Sequence, residues 1–156
     1  MVAVASERGV CLLEFDGPRL AAQLRRVEAR LGAAAHAGKS RHLDRLGCEL
    51  RAYFGGGLRR FRVPLVLAGT PFQVAVWRRL LRVPYGATFT YDRLARSLGR
   101  PGAQRAVGRA NGDNPLAIVV PCHRLVGADG NLRGYGGGTW RKRRLLEIEG
   151  ALALPS

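Results

Sequence analysis

The chain has 156 residues, with 26 Lys and Arg against 11 Asp and Glu, so it carries a formal net charge of +15. Its 47% apolar and 24% charged content is that of a chain that buries a core, which excludes an intrinsically disordered protein, and its length bounds it to one large domain or two small ones. The apolar stretch near its middle, Leu116 to Val120, is far short of the roughly 20 residues that a bilayer span needs, so no membrane segment is expected.

In chain order, Gly9 to Phe15 reads as a short strand ending in an Asp16-Gly17-Pro18 turn. Leu24, Val27 and Leu31 fall at helical spacing within Leu20 to Leu31, and Gly32 to Gly38 breaks the pattern. Leu43, Leu46, Leu50, Tyr53 and Phe54 share one stripe of a second helix, which Gly55-Gly56-Gly57 terminates. Phe61, Val63, Leu65 and Leu67 then alternate as a half-buried strand, with Pro64 marking a sheet edge. These elements predict a small α/β domain over residues 1–69. A second region, 70–156, opens with Thr70-Pro71-Phe72-Gln73: a capping hydroxyl, a proline at the first helical position and a Gln three residues after the cap. That helix has Phe72, Val76 and Leu80 on its apolar face and ends near Pro84-Tyr85-Gly86. Thr90 caps a short helix with Tyr91, Leu94, Ala95 and Leu98 at apolar spacing. After a Gly99-Arg100-Pro101-Gly102 turn, a further helix places Ala103, Ala106, Val107 and Ala110 on one side and Gln104, Arg105, Gly108, Arg109 and Asn111 on the other. Helix, tight turn and helix is the helix-turn-helix arrangement.

Of the 26 basic residues, 24 are Arg, and only Lys39 and Lys142 are Lys. Between Arg78 and Arg109 eight Arg stand against one acid, Asp92. A charge run alone is usually a solvated surface. Here it coincides with a helix-turn-helix pattern, which favours a partner with phosphates, nucleic acid first. The small residues of the second helix permit close backbone approach and supply few side chains to read base edges, as sequence-independent contact requires. Gly108 fits either that approach or tight helix packing.

Three Cys at wide spacing, Cys11, Cys48 and Cys122, with no Cys-x-x-Cys pair, argue against a disulfide framework and against a sulfur-rich zinc site. The opening residues, with Glu7 and Arg8, lack a basic segment followed by an apolar run, so the chain reads as intracellular. The apolar Leu116 to Val120 delivers Pro121-Cys122-His123-Arg124, a thiol beside an imidazole and a guanidinium. A free thiol titrates at roughly 8.5 and becomes a nucleophile when an adjacent base or positive field lowers that value. The usual fate of a single Cys is an inert core thiol. Neighbouring residues of a strand point to opposite faces, so Cys122 and His123 cooperate only if the backbone turns there or a water bridges them.

Pro121-Cys122-His123-Arg124, with Arg105-Ala106-Val107-Gly108 and Asn114-Pro115 before it and Gly134-Tyr135-Gly136-Gly137 and Leu145-Leu146-Glu147-Ile148-Glu149-Gly150 after it, closely resembles the O6-alkylguanine-DNA alkyltransferases, also called methylated-DNA–protein-cysteine methyltransferases. Phe72-Gln73, Val76-Trp77, Pro84-Tyr85-Gly86 and Thr90-Tyr91 continue the likeness, which covers Thr70 to Gly150. The N-terminal part matches only in order and rough patterning.

The resemblance implies an α/β (α+β) chain: a ribonuclease-H-like N-terminal domain, then a helical, winged-helix-like domain with the helix-turn-helix. It implies a DNA repair protein that takes the alkyl group of O6-alkylguanine, with O4-alkylthymine as the alternative lesion, irreversibly onto Cys122. His123 would act as base through a bridging water, Glu149 would orient it, Asn114 would tie the helix-turn-helix to the site, and Tyr91 would protonate the departing base. Arg105 would enter the duplex where the nucleotide turned out, with Gln104, Ala106, Gly108, Arg109 and Arg124 also at the DNA, in the minor groove. Tyr135, Gly136, Asn111, Pro121 and Leu125 would form the base pocket. Gly136 stands where many members carry Ser, and Asn111 where a hydrophobic residue is common. Cys11, His36, His42 and Cys48 do not reproduce the zinc spacing of some members, so no metal is expected, nor any cofactor. The expected partner is double-stranded DNA, met by a monomer in the cytoplasm. A non-catalytic alkylated-DNA binder or regulator is the alternative, disfavoured by the retention of Cys122, His123 and Glu149; a Cys-His hydrolase would turn over and need no such charge.

Overall fold

Two compact units divide the chain in a computed structural model that describes residues 1–152: one is 1–69 with 115–119, the other 70–114 with the described residues from 120. In the first, β1 (Val2–Ser6) runs antiparallel to β2 (Gly9–Glu14), with Val2 opposite Glu14 and Ser6 opposite Gly9. The sequence reading finds β2 and misses β1, because Ala3, Ala5 and Ser6 carry little strand propensity. α1 (Leu20–Leu31) and α2 (Arg41–Phe54) form where the apolar spacing puts them, and Ser40 caps α2 by accepting the His42 N–H. Cys11, Leu12 and Val27 make a buried cluster, with Leu20, Leu24 and Val66 packed against it.

The strand expected over Phe61 to Leu67 does not form. Only Leu65 bridges β2, where Val10 N–H donates to Pro64 O at 2.9 Å and Val66 N–H to Val10 O at 2.8 Å. The ladder cannot extend backwards because Glu49 takes the amides of Arg62 and Val63, at 2.8 and 3.1 Å, and Pro64 has none to give. Pro115–Val119, read from sequence as part of the second region, belongs to the first unit: Leu13 N–H donates to Pro115 O, and Ala117 N–H to Leu13 O, both at 2.8 Å. Within it Ile118 has φ 70°, a left-handed conformation that a β-branched side chain holds only under constraint.

In the second unit α3 (Pro71–Leu80) opens on the predicted capping box: Gln73 N–H donates to Thr70 Oγ1 and Thr70 N–H to Gln73 Oε1. After it come β3 (Phe89–Thr90), α4 (Tyr91–Ser97), α5 (Gln104–Gly112), a single 3-10 turn at Cys122–Arg124, β4 (Leu125–Val126) parallel to β3, and α6 (Thr139–Ile148). α3 and α4 both pack on α5, and the buried Trp77 indole donates to Ala110 O at 2.8 Å. Six α-helices and two small sheets thus make up the described residues, and no helix among them is long and apolar enough to cross a membrane.

Candidate active site

The site is built where a buried apolar segment stops. Val120 and Pro121 are buried, and after them the chain curls: Cys122 N–H donates to Val120 O at 2.7 Å and Arg124 N–H to Pro121 O at 3.0 Å, closing the 3-10 turn. The backbone turn that cooperation of Cys122 and His123 demanded is therefore present. Cys122 is 5% exposed and His123 fully buried. Asn114, 4% exposed, donates its amide to both Val120 O at 3.0 Å and Cys122 Sγ at 3.1 Å, so one side chain fixes the segment and the sulfur together.

Glu149 sits at the end of α6 and collects the charges. His123 Nε2 is 2.9 Å from its Oε1, while Arg124 donates Nε to Oε2 at 2.8 Å and Nη2 to Oε1 at 2.9 Å. Burial pushes the Glu149 carboxyl up, but the hydrogen bonds and charges of His123 and Arg124 outweigh it and hold the group at about 2. An ionised carboxylate only accepts, so His123 Nε2 carries a proton and donates it. Burial drives the His123 pKa down against the pull of Glu149, which favours neutral imidazole and leaves the Nδ1 lone pair as its basic position. That nitrogen is buried and makes no hydrogen bond among the described residues. Gly86 is required at this corner: its φ is 76°, and a Cβ there would meet Glu149 O at 3.0 Å.

Sequence reasoning passed over Lys142. It is fully buried in α6 and donates Nζ to Arg133 O at 3.1 Å. Burial lowers its pKa to about 8, and the charge of an ionised Cys122 pulls it back up. Attraction is mutual, so the ammonium favours the thiolate. One signal was legible: a Lys retained in a chain that otherwise uses Arg. Lys can shed its proton when buried, which Arg cannot. Tyr91, half-buried at the start of α4, has its phenol pushed up by burial and then by Cys122, against a smaller opposite effect of Arg133, so it stays a proton donor.

Three expected placements change. Arg124, assigned to DNA contact and to activation of the thiol, is 7% exposed and spends its guanidinium on Glu149 and on Val83 O at 2.5 Å. Its charge is neutralised where it lies. Asn111, expected on the outward side of α5, is buried and donates to Cys122 O at 3.4 Å, while Ala106, expected inward, is exposed. The face turns because Val107, Ala110 and Asn111 share one buried stripe of α5, and Asn111 is held on it by that polar partner. Arg105 and Arg109 are exposed with Ala106, whereas Gln104 is half-buried and donates to Asp92 Oδ1 at 2.7 Å, joining α5 to α4. Gly108 faces the Tyr91 ring, and a Cβ would make ordinary contact there at 3.7 Å, so packing alone does not demand glycine. Leu125 and Pro121 are buried beside the turn, Tyr135 is half-buried and Gly136 exposed on the following loop. Among the described residues no three His, Cys, Asp or Glu side chains gather as metal ligands.

Residues 71–151 match the family model described as 6-O-methylguanine DNA methyltransferase, DNA binding domain. A methylated-DNA–protein-cysteine methyltransferase of Mycobacterium tuberculosis is 59% identical over 101 residues, 65% of this chain and 61% of that protein. The one from Shigella flexneri is 52% identical over 110 residues, covering 70% of this chain and 64% of its own length. These matches thus span less than two thirds of the relatives. Among solved structures, M. tuberculosis OGT in complex with DNA superposes with a TM-score of 0.80 at 42% identity, covering 96% of this chain and 85% of that one. The O6-methylguanine-DNA methyltransferase of Pyrococcus kodakaraensis gives 0.69 at 32% identity, over 95% and 89%.

Proposed function

The chain belongs to the methylated-DNA–protein-cysteine methyltransferase family, and on that footing we propose that it repairs O6-alkylguanine in duplex DNA by taking the alkyl group onto its own Cys122. The observation that carries the reading is the continuous polar chain from Arg124 through Glu149 to His123, in the same turn as a sulfur held by Asn114.

Each residue then has a task. Glu149, ionised, holds His123 with Nε2–H toward it, and Nδ1 takes the Cys122 proton through a bridging water. The thiolate, favoured by Lys142, attacks the alkyl carbon. The new C–S bond forms as the C–O6 bond breaks, and the electron pair leaves with the purine. A guanine anion is a poor leaving group, and Tyr91 supplies the proton it needs. In sum the alkyl group passes to sulfur and one proton to guanine, and the thioether is not hydrolysed, so each molecule acts once. A sulfur this enclosed cannot reach a base stacked in a duplex, so the nucleotide must rotate out at a cost of a few kcal/mol.

α5 is the DNA-facing helix of this reading, offering Arg105, Ala106 and Arg109 to the minor groove, with Asn111, Tyr135, Gly136, Pro121 and Leu125 around the base. The second unit is the winged-helix-like acceptor domain and the first the ribonuclease-H-like one, and the protein acts as an intracellular monomer. Incubation with duplex DNA bearing labelled O6-methylguanine tests the proposal: equimolar label on Cys122 supports it, while binding without transfer, or turnover beyond one equivalent, overturns it. Arg105→Ala is expected to slow repair of the duplex by about tenfold or more and to leave attack on the free modified base unchanged, since only the former pays for extrusion. Single-turnover rates on the two substrates check this, and equal losses would remove the role.

A further inference from the structure

Trp140 is 65% exposed, the most exposed large apolar side chain among the described residues. Its seat is nevertheless defined. The Arg141 guanidinium carbon lies 4.3 Å from its ring centroid, and Arg141 Nη1 donates to Gly137 O at 2.7 Å, so the cation is fixed against the ring. On another side the ring lies close to Gly138, where an added Cβ would approach Cδ1 and Nε1 to 3.4 Å. Arg143 and Arg144 are exposed on the same helix, and Glu147 meets Arg144 at 3.5 Å. The other face of α6 carries Lys142, Leu145, Leu146 and Glu149, all buried, of which Glu149 holds His123. The ring therefore stands where the loop bearing Tyr135 passes into the helix that backs the acceptor site.

An aromatic surface kept open to solvent, fixed by a cation and followed one helical turn on by two exposed Arg, has the chemistry that takes a nucleobase on its face and phosphates nearby. Paired bases within a duplex have both faces covered, so the complementary occupant is an unpaired base. We propose that Trp140, backed by Arg141, is a stacking platform for an unpaired base of the DNA strand that carries the lesion, giving the protein a hold on single-stranded DNA in addition to the hold of α5 on the duplex. The proposal rests on the alkyltransferase reading for the identity of that strand.

The molecule contains its own probe, because the only other tryptophan, Trp77, is 1% exposed and hydrogen-bonded within the core. Titrating the full chain with an unmodified single-stranded oligonucleotide is expected to quench tryptophan emission, and the quenching is expected to vanish in Trp140→Phe, where Trp77 alone reports. Trp140→Ala is expected to weaken single-strand binding about tenfold, the scale of one lost base-stacking contact. Trp140→Phe should recover most of that affinity, and single-turnover transfer from saturating lesion duplex should be unchanged in both variants. Equal single-strand affinity of wild type and Trp140→Ala overturns the proposal. So does an emission change that tracks protein concentration without DNA, which would make the ring a self-association contact. Failure of the wild type to label Cys122, with quenching intact, would instead remove the alkyltransferase reading and leave the platform standing.

Discussion

Cys122→Ala is expected to abolish alkyl transfer completely while leaving affinity for lesion-bearing duplex within a few-fold of wild type. On the proposed reading the sulfur is the acceptor atom, so no partial rate survives its loss. Apart from the charge that an ionised sulfur offers Lys142, the fold loses little with it. The Asn114 amide that donates to Sγ also donates to Val120 O at 3.0 Å, so it is not left without a partner. Removing one buried sulfur leaves a small cavity, with a cost of about 1 kcal/mol. Arg105 and Arg109, the proposed DNA contacts, remain exposed on α5. Intact-protein mass after incubation with damaged DNA, set beside a binding titration, checks both halves: residual mass gain in the variant would place the acceptor elsewhere, and loss of binding would mean that the change damaged the unit as a whole.

Glu149→Gln is expected to cost both stability and rate. The side chain is fully buried and faces a guanidinium that is itself nearly buried, so neutralising it leaves Arg124 uncompensated, at a penalty of about 3 to 5 kcal/mol. Proton linkage gives a similar size: a carboxyl held at about 2 against an ordinary 4.5 contributes on the order of 3 kcal/mol. The sign follows from the direction of the shift. A depressed carboxyl stabilises the fold at pH above its unfolded value, and that contribution is lost as pH falls from about 4.5 through about 2. Denaturation midpoints measured down a pH series should therefore show wild type and variant far apart at neutrality and converging in acid. A gap that persists unchanged at the acid end would assign the loss to packing instead of charge. For the chemistry, a Gln amide can donate to His123 Nε2 and so move the imidazole proton to Nδ1, where the base is needed. Transfer should fall by roughly 10²- to 10⁴-fold, the range of general-base contributions.

Local signals in the sequence were strong where one residue type answers one backbone need. Thr70, Pro71 and Gln73 specify a helix start almost alone, and the capping box forms as read. Periodicity located α1, α2, α4 and α5, but α6 carries Arg-Lys-Arg-Arg across its middle, so its two inward faces, Lys142 and Leu145-Leu146, do not register as an apolar stripe. The strand expected at Phe61 to Leu67 failed for a reason no local pattern contains, since Glu49 lies in another helix and takes two of the amides that pairing would need. At the site, residue identities were legible and partnerships were not. Arg124 next to His123 looks like a field for the thiol until Glu149, far away in the chain, binds it bidentately. Asn111 and Ala106 traded sides because a polar residue can be turned inward by one backbone carbonyl, that of Cys122, which hydropathy cannot anticipate.

The burial of Lys142 beside Cys122 sets a lifespan on the molecule. An ionised Cys122 would compensate the Lys142 ammonium inside the fold. On the proposed reading alkylation removes that negative charge, and the ammonium keeps its desolvation cost with the Arg133 carbonyl as its remaining partner. A lysine whose folded pKa lies at about 8 against an ordinary 10.5 penalises the native state below that range, a penalty relieved as pH rises through it. At neutral pH the alkylated protein is therefore expected to unfold at a lower temperature than the unreacted one, which melting curves taken before and after transfer would check.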